Sequence, residues 1–141
     1  MGVRGGHNLL SQVPLFSGLT ARHLRRLASE AQEARYMEGA SVVKEGDEAD
    51  AFFVILEGEA RVVRPRGRTV TRLRPGDSFG EISLLDGGRR TATVVSETPL
   101  TVMMLSRKAF TKMVRDEPDV AINMLGQLAR MLRRMERPIS G

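Results

Sequence analysis

Gly80, Glu81 and Arg90 are three residue types that, brought together, can grip a phosphate carried on a sugar. They sit in the stretch 79–94, F-G-E-I-S-L-L-D-G-G-R-R-T-A-T-V. Gly80 has no Cβ, so backbone and ligand can approach closely there. Residues 81–85 can make one short helical turn, whose free N–H groups and positive dipole end suit an anion. Arg90 supplies a planar fork of donors that matches a phosphate and keeps its charge. Glu81, an acceptor when ionised, can take a hydrogen bond from a ribose hydroxyl. Cation, helix end and carboxylate thus lie within one short segment. The plain alternative is a glycine turn on a β protein with a solvated Glu and Arg.

The elements that must hold this segment follow from periodicity and punctuation. Thr20 can cap a helix running from Ala21 to about Ala31, with Leu24, Leu27, Ala28 and Ala31 on one face. The apolar turn at 15–19 is expected to pack on the core. Short β runs broken by Gly and Pro then cover 36–44, 51–56, 60–64, 69–73, 92–96 and 101–105. Turns are expected at 45–47, 57–59, 66–68 and 75–77. Ser106 reads as the N-cap of a helix over 108–115. A last helix starts near Pro118 and runs to about Arg137, with Pro138 and Gly141 ending it. Many short, closely spaced strands argue for a jelly roll or barrel rather than an open parallel sheet.

The last helix carries two apolar stripes. Ile122, Leu125, Ala129 and Leu132 form one, expected to pack on the β roll. Ala121, Met124, Leu128, Met131 and Met135 form the other, at coiled-coil spacing for about two heptads. The second stripe is read as a self-association seam for a homodimer, against the alternative of one broad buried face.

Composition bounds the rest. The chain has 141 residues, enough for one domain with a real core, and no cysteine, which removes disulfide and thiolate-metal frameworks. The glycine-rich start does not read as a secretion signal. The longest apolar run, 51–56, is too short to cross a bilayer, so a cytoplasmic protein without a membrane segment is expected. The net charge is +5, carried mostly by scattered Arg, with one Tyr and no Trp to interleave. That favours a solvated surface over a nucleic-acid face. His7 and His23 are the only histidines, and no H-E-x-x-H, G-x-S-x-G or P-loop is present. No enzyme, metal site or cofactor is expected.

At 79–94 the chain resembles the cyclic-nucleotide-binding domain family, found in activator-type regulators, kinase regulatory subunits and gated channels. The resemblance rests on Phe79, Gly80, Glu81, Ser83, Leu84, Leu85, Arg90, Thr91, Ala92, Thr93 and Val94, which fall on that family's phosphate-binding cassette. Gly46 and Gly58 fall where the family has turn glycines. The resemblance covers almost the whole chain as a single domain, with an N-terminal helix and β roll over about 15–115 and a C-terminal helix over about 118–137. It implies a mainly β fold with flanking helices, the double-stranded β-helix or cupin-like jelly roll. It also implies a sensor that binds cyclic AMP or cyclic GMP through Phe79, Gly80, Glu81, Ile82, Ser83, Arg90, Thr91 and Ala92. Val62 and Val70 would form apolar walls, and Leu132 and Met135 a lid. Thr91 bears on base choice, and cyclic AMP is favoured. The expected output is movement of the C-terminal helix toward an unidentified protein partner. The alternatives are a member of the fold that has lost its ligand and serves as an interaction module, or the sensor part of a larger transcription regulator, channel or enzyme. No DNA-binding domain is read in these residues.

Overall fold

The run A-F-F-V-I-L-E folds as a strand, Ala51–Glu57, and its two faces account for the architecture. Phe52 and Val54 enter one buried cluster with Leu10, Phe16, Leu27, Met103, Phe110 and Met124. Ala51, Phe53 and Ile55 enter another, with Ala60, Leu73, Val94, Leu100 and Val102. A strand covered on both faces reads as an unbroken apolar run rather than an alternating one. The computed structural model describes residues 5–64 and 68–136, with the backbone alone at 68–70, 82, 83 and 136.

In chain order come α1 (Gly6–Ser11), a 3-10 turn (Pro14–Phe16), α2 (Ala21–Glu30), β1 (Gln32–Tyr36), β2 (Ser41–Val43), β3 (Ala51–Glu57), β4 (Ala60–Arg64), β5 (Arg68–Leu73), β6 (Ser78–Phe79), α3 (Glu81–Asp86), β7 (Thr93–Ser96), β8 (Leu100–Ser106), α4 (Arg107–Asp116) and α5 (Pro118–Glu136). The strands form two antiparallel sheets of four, in the orders β1-β8-β3-β6 and β2-β7-β4-β5. One cluster lies between the sheets, and the other lies between the first sheet and the helices. The molecule is therefore a jelly roll with flanking helices, as the sequence predicts. Both predicted caps form: Thr20 Oγ1 accepts from His23 N at 3.1 Å, and Ser106 Oγ from Ala109 N at 3.0 Å.

Four local expectations are corrected. The strand predicted over 36–44 contains only the last residue of β1, which begins at Gln32, and the short strand β2, and the two belong to different sheets. Between them the chain turns with Gly39 at φ +83°, and fully buried Ser96 accepts from Ala40 N through its hydroxyl at 3.0 Å. The glycine-rich start contains a helix, α1, whose Leu10 is buried in the helical cluster. The two-residue strand β6 is too short for any periodicity to mark it in the sequence. Arg22 and Arg26, read as solvated, instead grip Glu117 at 2.5 and 2.8 Å, and Arg26 also reaches Asp116 at 2.6 Å. The hydrogen bond from Arg26, foremost, holds both carboxyls below their ordinary range. These pairs fasten α2 to the junction of α4 and α5.

The stripes of α5 are the reverse of the prediction. Ile122 and Leu125, assigned to the β roll, are 68% and 64% exposed, whereas Val120 and Met124 are buried. Asn123 and Gln127 share the docked side: Asn123 Nδ2 donates to Gly18 O at 2.7 Å, and Gln127 Nε2 to Pro14 O at 3.0 Å. The helix meets a turn whose carbonyls need donors, so polar residues face inward there. Pro138 and Gly141, the predicted helix stop, lie outside the described residues.

Candidate functional site

Strand β6 ends at Phe79, which pairs with Phe53 of β3 and stacks on its ring at 4.8 Å with an interplanar angle of 12°. Gly80 then turns the chain into α3 with φ +88°. A Cβ at Gly80 would lie 2.6 Å from Arg90 Nη1 and 3.1 Å from Ala51 O. Glycine is required twice over, by the dihedral and by the space. Glu81 opens α3, and its Oε2 is buried with no hydrogen-bond partner among the described residues.

After α3 the chain folds back at once. Asp86 Oδ1 accepts from Gly88 N at 2.7 Å, closing the turn, and Gly87 sits at φ +65°. Arg90 is only 7% exposed. Its backbone is pinned on both sides: Arg90 N donates to Asp47 O at 2.8 Å, and Gly46 N donates to Arg90 O at 2.9 Å. Its guanidinium donates from Nη2 to Ala51 O at 2.8 Å and lies 5.7 Å from the centre of the Phe53 ring. Burial pushes this guanidinium below its ordinary value, while Asp50 and Asp47 pull it back up. Starting from the arginine range, it stays cationic at neutral pH. Its position is fixed by backbone and ring contacts rather than by a carboxylate, which leaves its charge without an ion-pair partner among the described residues.

These groups line one cavity of about 490 Å³. Of the predicted site residues, Phe79, Gly80, Glu81, Arg90, Thr91, Ala92 and Val62 line it. The side chains of Ile82, Ser83 and Val70 lie outside the described residues. Leu132 and Met135 do not line the cavity in this arrangement, and they are 55% and 78% exposed.

Sequence reasoning missed most of the opposite wall: Val43, Thr71, Leu73 and Val94, with Arg64 and Arg89 also on the lining. Their signal is strand register. Val62 pairs with Thr71 on one side and Val94 on the other, and Val94 pairs in turn with Val43. Four strands thereby lay one row of small side chains across the cavity floor, opposite a cation and a carboxylate. The arrangement can hold a ligand with an apolar part, an anionic part and a hydroxyl.

The chain is 30% identical over 130 residues to a CRP-like cAMP-activated global transcriptional regulator of Mycobacterium tuberculosis, covering 89% of this chain and 58% of that protein. It is 34% identical over 115 residues to a cGMP-dependent protein kinase of Caenorhabditis briggsae, covering 77% of this chain and 15% of that one. The chain thus spans little more than half the length of the bacterial regulator. The crystal structure of the N-terminal domain of a transcriptional regulator from Streptomyces coelicolor matches with a TM-score of 0.84 at 30% identity, over 94% of this chain and 98% of that one. The family model for the cyclic nucleotide-binding domain matches residues 33–117, which run from within β1 to just past α4 and contain every described wall of the cavity. A match over that span, laid on a buried arginine and a buried glutamate oxygen in one cavity, places the chain in the cyclic nucleotide-binding domain family.

Proposed function

We propose that the cavity binds a 3′,5′-cyclic nucleotide as a regulatory ligand, with the cyclic phosphate on Arg90 and the α3 amides, and the ribose 2′-hydroxyl on Glu81. One observation carries this reading: an arginine 7% exposed and a glutamate oxygen buried without a partner among the described residues line the same cavity. A buried polar group without a partner is costly, so a ligand hydroxyl at Glu81 Oε2 offsets a cost the protein already bears. The apolar floor of Val43, Val62, Leu73 and Val94 suits the sugar edge and the base.

Cyclic AMP is the favoured ligand. Thr91, exposed beside Arg90 on the cavity lining, is the side chain whose hydroxyl bears on the guanine amino group. The bacterial regulator quoted above is cAMP-activated by name and the kinase cGMP-dependent, so similarity leaves the choice to the site. Titration calorimetry should show micromolar or tighter binding of cyclic AMP and weaker binding of cyclic GMP. If Thr91 reads guanine, Thr91→Ala weakens cyclic GMP and leaves cyclic AMP nearly unchanged. Equal losses for both would assign Thr91 to the phosphate alone. No heat and no thermal shift at millimolar concentrations of either would end the proposal.

The output we assign to α5. Leu84, in the middle of α3, is 2% exposed and shares a cluster with Phe110, Met113, Val120 and Met124. A groove lined by Leu84, Leu85, Phe110, Val114, Leu125 and Leu128 joins α3, α4 and α5. A ligand that pulls on Glu81 therefore acts on α5 through packed side chains, and it shifts the equilibrium only as far as its affinities for the two positions differ. The exposed face Ile122, Leu125, Ala129 and Leu132 has three-four-three spacing, so it replaces the methionine stripe as the seam for a homodimer. Nucleotide should lower hydrogen exchange in α5 as well as at 79–94, and should bring Leu132 and Met135 over the base. Protection confined to 79–94, with a monomer by sedimentation in both states, would make the protein a passive binder.

A further inference from the structure

A second concavity, of about 990 Å³, lies between residues 48–50, the turn at 87–89 and the outer face of α4. Five cations line it: Arg89, Arg107, Lys108, Lys112 and Arg115. Along α4 they form two rows at four-residue spacing, Arg107–Thr111–Arg115 and Lys108–Lys112, which lie on one helix face. Of these five cations only Lys112 has an ion pair among the described residues, with Asp116 at 3.3 Å. Arg107 Nε is buried and has no acceptor among the described residues. The Arg107 guanidinium is packed against the turn, since a Cβ at Gly87 would lie 3.1 Å from its Cζ. Like charges four residues apart on a helix repel, and the Lys112–Asp116 pair is the one ion pair that offsets them among the described residues.

We infer that this groove is a docking site for an acidic segment of a partner protein. The cation rows run from Arg107 to Arg115, roughly 12 Å at the α-helical rise. An extended peptide covers that distance with about four residues. The described lining has no aromatic side chain, so it offers no platform on which a nucleobase would stack. Glu48 and Asp50 stand on the wall facing the cations. They would repel a polyphosphate, which presents only acceptors, but they can accept from the backbone N–H groups of a peptide. A ligand carrying both carboxylates and N–H donors answers both walls.

The test uses the nucleotide-free protein, so its outcome is independent of how the first cavity is read. Fluorescein-labelled hexaglutamate is followed by anisotropy at about 100 mM salt, where charges beyond roughly 10 Å are screened. Binding should be saturable, and it should fall about ten-fold or more in Lys108→Glu/Arg115→Glu, two exposed positions. The neutral pair Lys108→Gln/Arg115→Gln should give a smaller loss and guards against misfolding of the reversed pair. Arg25→Glu/Arg134→Glu changes the net charge equally, at exposed residues outside the groove, and should leave binding within about two-fold. Equal losses in the two reversed pairs, or no saturable binding to the wild type, would overturn the inference. Tighter binding of inorganic tripolyphosphate or of a DNA duplex than of hexaglutamate would overturn it as well.

Discussion

Arg90→Ala is expected to leave a cooperatively folded protein that has lost most of its affinity for cyclic nucleotide, a cost of roughly 2–5 kcal/mol for truncating one side of a buried charged contact. The size of the effect comes from the setting. The guanidinium is 7% exposed, lies over Phe53 and is held by Ala51 O, so its orientation is set before any ligand arrives. A preorganised donor of this kind contributes more than a mobile surface arginine, because little side-chain freedom remains to be lost. Stability should fall by only about 1 kcal/mol, since a single hydrogen bond to Ala51 O goes with the side chain. Arg90→Lys keeps the charge but loses the planar fork, so its affinity should lie between wild type and alanine. Glu81→Ala should lose on the order of 1.5–3 kcal/mol, the range for a hydrogen bond to a charged group. Calorimetry with cyclic AMP decides these points. An alanine variant that binds as tightly as the wild type would remove Arg90 as the phosphate partner.

The cation, the carboxylate and the glycine of this site were legible because they are local. Fewer than a dozen residues separate Gly80 from Arg90, and the chemistry of each type is evident from its side chain. The caps at Thr20 and Ser106 and the turn at Gly58 were legible for the same reason. Most of the cavity floor was not. Val62 is expected there through the family resemblance, but Val43, Thr71 and Val94 come from three other strands, and their adjacency to it exists only once the register is known. A strand pattern says which residues share a face, but not which strand lies next to it.

Helix α5 failed for a different reason. Spacing alone marks two apolar stripes on it and does not say which of them meets the rest of the fold. The surface it meets is the 3-10 turn at Pro14–Phe16 and the residues just after it, whose carbonyls at Pro14 and Gly18 take hydrogen bonds from Gln127 and Asn123. Two amides on the docked side left a face of Ile122, Leu125 and Leu132 outward. Hydrophobic patterning identifies a docked face only where the opposing surface has no polar backbone to satisfy.

Gly80→Ala separates backbone strain from ligand geometry when set beside two other glycines. Gly39, Gly58 and Gly80 have φ of +83°, +88° and +88°, so an alanine at any of them meets a conformational cost on the order of 1–2 kcal/mol. Their surroundings differ. At Gly39 a new Cβ meets nothing within 4 Å, so that cost should be the whole effect. At Gly58 it would stand 2.2 Å from Pro99 O, a backbone atom, and 2.8 Å from Thr98 Oγ1, so the melting temperature should fall furthest there. At Gly80 the nearest atom is Arg90 Nη1 at 2.6 Å, the far end of a side chain that can swing away. The side-chain clash, though not the dihedral strain, is relieved by moving the group that binds the phosphate. Gly80→Ala should therefore lose no more stability than Gly58→Ala, yet lose nucleotide affinity by ten-fold or more, about 1.4 kcal/mol. The folded fractions of Gly39→Ala and Gly58→Ala should bind as the wild type does. Thermal melts and calorimetry on the three variants test the whole series. Undiminished binding by Gly80→Ala would mean that Arg90 has slack, and that its fixed position is not what confers affinity.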